Sequence, residues 1–114
     1  MATIVSITSQ AELAKHCQDH PVVLVDFWAP WCGPCKAMNP VLDQTATTMG
    51  NALSIVKVNI DDAQDLAGFY EISSIPSLLL FINGKHASTV VGSQTLPALQ
   101  SWIERTQTSL ITQG

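Results

Sequence analysis

Two cysteines three positions apart, in Cys32-Gly-Pro-Cys35, are the residues whose types and spacing most plainly invite chemistry. They follow an apolar run that reads as a strand, at the point where a helix begins. The first four N–H groups of a helix have no intrahelical partner, and the helix dipole favours negative charge there. A thiolate on Cys32 is stabilised by both, so its pKa should fall below the ordinary value of about 8.5 and make it a nucleophile near neutral pH. Cys35 lies one helical turn further on, where it can attack a mixed disulfide formed at Cys32 and release a reduced substrate. Pro34 stiffens the turn, and Gly33 lets a substrate backbone approach closely. Zinc binding is one alternative, but zinc wants four ligands, and Cys17, His16, His20 and His86 offer no second Cys-x-x-Cys pair. A structural disulfide is another alternative, disfavoured by the reducing compartment argued below.

Asp26 and Lys57 interrupt runs that are otherwise apolar. Burying either charge alone costs several kcal/mol, so each needs a reason. One of them could face solvent at a strand end. The functional reading is a buried carboxylate beneath the cysteines, raised in pKa by desolvation and tuned by Lys57, that takes the proton from Cys35.

The elements that must position these groups follow from local pattern. Residues 4–7 read as a first strand, and Ser9-Gln-Ala-Glu12 as a capping box opening a helix with Leu13, Ala14 and Cys17 on its apolar side. Residues 22–28 are apolar nearly throughout, as expected of a central strand buried on both faces. The helix entered at Cys32 runs to about Met49, with Pro40 inside it as a source of a kink and Gly50-Asn51 as its stop. Residues 53–60 form the next apolar strand, and Asp61 or Asp62 is expected to cap a helix to about Tyr70. Residues 77–82 and about 86–91 flank Asn83-Gly84, a hairpin signal, so these strands should be antiparallel. A closing amphipathic helix spans about 96–110, with Pro97 in its first turn. The order β-α-β-α-β-α-β-β-α implies an α/β fold: a mixed five-stranded sheet flanked by four helices on both faces. The Thr, Gln, Ser and Gly content of residues 106–114 suggests fraying near the end.

With 114 residues the chain fits a single domain, 1–114, and 46% hydrophobic residues supply a core. Nine acids against 5 bases give a net charge of −4, which argues against nucleic acid as the main partner. The longest apolar stretches, 22–25 and 78–82, fall far short of a membrane span. The N-terminus shows no basic start or apolar core of a signal peptide, and 3 cysteines are an odd count, so a reducing cytoplasm is expected. No Gly-rich nucleotide fingerprint occurs, so no cofactor is expected and electrons must come from a partner protein.

The segment Asp-Phe-Trp-Ala-Pro-Trp-Cys-Gly-Pro-Cys-Lys at 26–36 resembles the active-site signature of the thioredoxins. The resemblance continues through Pro40, Lys-Val-Asn-Ile-Asp at 57–61, Ser-Ile-Pro-Ser-Leu-Leu-Leu-Phe at 74–81, Asn83-Gly-Lys85 and Val91-Gly92, and so covers about residues 4–110. It implies a thioredoxin fold and a protein disulfide reductase, itself reduced by an NADPH-dependent thioredoxin reductase and acting on disulfide-containing substrate proteins as a monomer. Cys32 is then the attacking cysteine, Cys35 the resolving one, Asp26 the buried carboxylate and Lys57 its neighbour. The Ile75–Pro76 bond should be cis, with Trp31, Ile75, Pro76 and Gly92 forming a flat apolar docking surface around Cys32 and Trp28 packed beside the motif. Glu71 and Ser77 depart from the family's usual residues near or beyond the docking rim. Cys17 is extra, and its helical phase places it inward as an inert thiol. His16 and His20 read as a solvated helix end. Two rivals are an oxidase or isomerase of the same fold, and a binding module that docks a partner without redox turnover; an intact Cys-Gly-Pro-Cys with Asp26 speaks against the second, since binding alone needs neither.

Overall fold

The computed structural model describes residues 4–113, with side-chain surroundings through residue 109. Five strands form one sheet: β1 (Ile4–Ser6), β2 (Val22–Trp28), β3 (Ser54–Asn59), β4 (Ser77–Ile82) and β5 (Lys85–Val91), in spatial order β1-β3-β2-β4-β5. β2 lies at the centre, parallel to β3 and antiparallel to β4. The expected hairpin joins β4 to β5, and both its central residues, Asn83 and Gly84, have positive φ (52° and 82°), the geometry that matches the twist of the flanking strands.

Alternation along β2 divides the core in two. Val22 and Leu24 pack with Leu78 and Leu80 under α2 (Gly33–Met49) and α4 (Leu96–Gln113), which contribute Met38, Leu42, Leu99 and Ile103. Val23, Val25 and Phe27 face the other way, with Val56, Val58 and Leu79, under α1 (Gln10–Asp19) and α3 (Gln64–Phe69). Burial on both faces is why β2 reads as an unbroken apolar run, and each large side chain so buried stabilises the fold by roughly 1.5–3 kcal/mol. Asp26 and Lys57 therefore share the face that α2 covers, two positions beyond Leu24 and Ile55.

Several local expectations are corrected. Ser9 caps α1 as expected, accepting from the Glu12 N–H at 3.2 Å, and the Glu12 carboxylate accepts in return from the Thr8 N–H at 3.1 Å. The Thr8 N–H foremost, with the Ser9 hydroxyl donating at 3.1 Å, holds the Glu12 carboxyl below its ordinary range. Ala14, however, is exposed, so the buried side of α1 is Leu13 with a half-buried Cys17. Neither Asp61 nor Asp62 caps α3: the helix starts at Gln64 after Ala63, with no side-chain cap. Asp61 is drawn elsewhere, accepting from the Trp31 indole at 3.1 Å. A short 3₁₀ turn, Gly50–Ala52, follows α2, which continues on both sides of Pro40. α4 extends beyond residue 110 to Gln113, while Gly114 lies outside the described residues. Among the described residues no helix is long and apolar enough to cross a membrane.

Glu71 takes the left-handed position that closes α3. Its φ is +56°, and the Ile72 N–H reaches back to the Ala67 carbonyl at 2.9 Å, the bond pattern that usually recruits glycine. A side chain costs about 1–2 kcal/mol in this conformation. Glu71→Gly should therefore raise unfolding stability by about 1 kcal/mol, after allowance for the freer unfolded chain. Urea denaturation checks this, and an unchanged or lower midpoint would reject it.

Candidate active site

Cys32 stands at the N-cap of α2, after the Ala29-Pro30-Trp31 turn that leaves the end of β2. Its backbone is extended (φ −93°, ψ 111°), and its Sγ accepts the Cys35 N–H at 3.2 Å. The two cysteines form a disulfide, with Cα atoms 5.3 Å apart. They pack with Ala29 against Trp28, Ile60 and Ile75. Cys32 is the more accessible of the two, 6% exposed against 1% for Cys35.

Two further segments converge on this turn. The Ile75–Pro76 bond is cis, and the Ile75 carbonyl lies 3.9 Å from Cys32 Sγ. Gly92 has φ +95°, a conformation that suits glycine, and donates its N–H to the Pro76 carbonyl at 2.8 Å. The next residues clamp that loop to α2: Ser93 Oγ donates to the Pro34 carbonyl at 3.0 Å, and the Gln94 N–H reaches Met38 Sδ at 3.1 Å. Trp31 is 67% exposed, and Gly33 and Pro34 are exposed beside it. Ile75 and Gly92 are half-buried. Pro76 is buried, so it lends a carbonyl to Gly92 rather than an apolar face to the exterior. Ser77 is likewise buried, its hydroxyl turned to the Ser74 carbonyl, so it lies beneath the rim rather than beyond it.

Asp26 is fully buried, and neither carboxylate oxygen has a hydrogen-bond partner. Burial lifts its pKa to about 6, against the opposing pull of the Lys57 charge. Asp26 and Lys57 are register partners on β2 and β3. The lysine ammonium is nevertheless engaged elsewhere: it donates to Asn39 Oδ1 on α2 and sits 4.6 Å from the Trp28 ring centroid. Sequence reasoning missed Asn39. The available signal was spacing, since Asn39 lies four residues after Cys35 and so shares its side of α2.

Comparison with known proteins bears on the same residues. The thioredoxin family model matches residues 4–105. Thioredoxin from Bacillus subtilis (strain 168) is 44% identical over 102 residues, covering 90% of this chain and 96% of that protein. Thioredoxin from Haemophilus influenzae is 45% identical over 83 residues, 73% of this chain and 78% of that one. A mutant thioredoxin from Halobacterium salinarum NRC-1 superposes with a TM-score of 0.83 at 35% identity, covering 90% of this chain and 89% of that one. The chain belongs to the thioredoxin family. It is accordingly a thiol–disulfide oxidoreductase, a protein disulfide reductase that carries electrons by reversible dithiol–disulfide exchange at Cys32 and Cys35. Mitochondrial thioredoxin 3 from Saccharomyces cerevisiae, in its oxidized form, shares the fold with a TM-score of 0.82 at 27% identity, covering 90% of this chain and 94% of that one.

The thioredoxin site leaves the other sulfur and imidazoles aside. His16 and His20 stack on α1 with ring centroids 6.1 Å apart, while His86 stacks on Phe81. Cys17 is a free thiol on α1, half-buried rather than buried, packed against the α1/α3 side of the core. Desolvation raises its pKa, which lowers its thiolate fraction at neutral pH. In the reduced native protein, iodoacetamide should label Cys17 far more slowly than Cys32. Mass spectrometry of timed aliquots checks this, and equal labelling rates would contradict it.

Proposed function

We propose that Cys32 is the attacking sulfur and Cys35 the resolving one, within a single-domain, monomeric, cytoplasmic thioredoxin. The observation that supports this reading is the position of Cys32: it caps α2, receives the Cys35 N–H, and is the more accessible sulfur of the pair. In the reduced protein the Cys32 thiolate attacks one sulfur of a substrate disulfide, forming a Cys32–substrate bond and expelling the other substrate sulfur as thiolate. Cys35 loses its proton and attacks Cys32 Sγ, which releases the second substrate thiolate and leaves the Cys32–Cys35 disulfide. Two electrons have moved to the substrate. Asp26 is the group we assign to accept the Cys35 proton, with Lys57 setting its charge environment.

The substrate segment docks on the exposed parts of Trp31, Gly33, Pro34, Ile75 and Gly92, with Pro76 as support beneath. Its backbone meets the Ile75 backbone beside Cys32. Electrons return from NADPH through a thioredoxin reductase, and disulfide-containing proteins are the substrates. Insulin reduction driven once by dithiothreitol and once by NADPH with a thioredoxin reductase tests this. Turnover with both donors supports the whole cycle. Turnover with dithiothreitol alone would remove that reductase as partner, and turnover with neither would favour a docking role without redox cycling.

A further inference from the structure

Asp26 and Lys57 stand opposite one another on adjacent strands about 4.8 Å apart, well within reach of a lysine side chain. An ammonium so placed beside a buried carboxyl would ordinarily bond to it, because leaving the buried charge unpaired is costly. It does not: both Asp26 oxygens lack a hydrogen-bond partner, while Lys57 Nζ donates to Asn39 Oδ1 and packs over the Trp28 ring. An ammonium is a donor only, so the amide of Asn39 must present its oxygen to Lys57. Asn39 itself is half-buried, on the side of α2 that carries Cys35, Met38 and Leu42 onto the sheet.

We infer that Asn39 is a positioning residue: its carboxamide holds the Lys57 ammonium off the Asp26 carboxyl and thereby governs how strongly that charge acts on it. Among the described residues no other charged group competes for this control. From β4 the register partner of Asp26 is Leu78, which is apolar. From α2 the inward groups are the Cys35 sulfur, Met38, Asn39 and Leu42, while its charged residues Lys36 and Asp43 are exposed. Among its described side chains, α4 adds Leu99, Trp102 and Ile103 to this face. Among the described residues Lys57 is accordingly the one charge acting on Asp26, opposing the effect of burial.

Two substitutions should move the Asp26 titration in opposite directions. Asn39→Ala removes the acceptor and frees the ammonium to close on Asp26, which favours the carboxylate; the midpoint should fall by about one pH unit. Asn39→Asp pairs the ammonium more firmly and adds a negative charge nearby, so the midpoint should rise. Alanine at an interior position of α2 is a better helix former than asparagine, so the first variant should fold. The measurement is carbon-13 NMR titration of the Asp26 carboxyl in the full-length wild type and both variants, beside the pH profile of dithiothreitol-driven insulin reduction. Opposite shifts support the inference. An unmoved midpoint in Asn39→Ala, or shifts of the same sign in both variants, would overturn it. The effect on rate rests on the proton-acceptor role given to Asp26. Opposite NMR shifts with an unmoved rate profile would therefore uphold Asn39 as the positioning residue and remove that role from Asp26.

Discussion

Cys32→Ser should bring insulin reduction down to the rate of dithiothreitol alone, with no change in fold. The loss is complete because the sulfur supplies the nucleophile, and a serine hydroxyl, unlike a thiol, is essentially un-ionised near neutral pH. The fold survives because Cys32 is the N-cap of α2, its Sγ accepting the Cys35 N–H at 3.2 Å. Serine is among the preferred N-cap residues and can make the same bond. Circular dichroism and urea unfolding separate the two effects. Cys35→Ser should behave differently: attack by Cys32 still occurs, resolution does not, and the variant accumulates as a mixed disulfide with substrate that mass spectrometry detects. If Cys32→Ser kept more than about a tenth of the wild-type rate while folded, the assignment of attacking and resolving sulfurs would fall.

Asp26→Asn is expected to gain stability and lose rate together. The Asp26 pKa is near 6 in the folded protein against an ordinary 3.8, so the folded state binds the proton more tightly than the unfolded state. Below about pH 4 both states are protonated and burial carries no ionic penalty. As pH rises from there to about 6 the unfolded state loses its proton first and stability falls; above about 6 the full penalty, ~3 kcal/mol from the two-unit difference, persists. Asparagine cannot ionise but remains a buried amide, so the variant should be about 2 kcal/mol more stable at pH 7 and no more stable than wild type near pH 3. Urea denaturation of the oxidised form at both pH values checks this, and an equal gain at pH 3 would show that charge is not its source. Loss of the carboxylate assigned as proton acceptor should slow insulin reduction on the order of tenfold or more at pH 7, with the gap narrowing as pH rises toward the thiol's own range. Rates equal to wild type from pH 6 to 9 would remove Asp26 from the proton path.

Local chemistry made much of this protein legible in one dimension. The unbroken apolar run of β2 announced a strand buried on both faces, and it lies at the sheet's centre. Asn83-Gly84 specified its hairpin because few residues tolerate positive φ at both central positions. Ser9 with Glu12 opened α1, and Cys-Gly-Pro-Cys lay where a helix begins. Each of these signals depends only on neighbouring residues, so the chain states it directly.

Contacts across the sheet were decided elsewhere. Asp61 fits the sequence signature of a cap, yet its carboxylate goes to the Trp31 indole, which the turn after β2 brings to it. Cys17 has the phase of an inward residue, but how deeply α1 settles on the sheet leaves it half-exposed. Above all, Asp26 and Lys57 stood out as charges within apolar strands, one buried and one half-buried in the fold, but their flanks did not show that the ammonium turns away from the carboxyl. That choice depends on Asn39, 18 residues before Lys57, whose carboxamide reaches the ammonium only once α2 packs over β3. Sequence fixes which groups each element carries and which way they alternate. Which acceptor a half-buried ammonium selects is settled by distances between elements, and those exist only after the layers have packed.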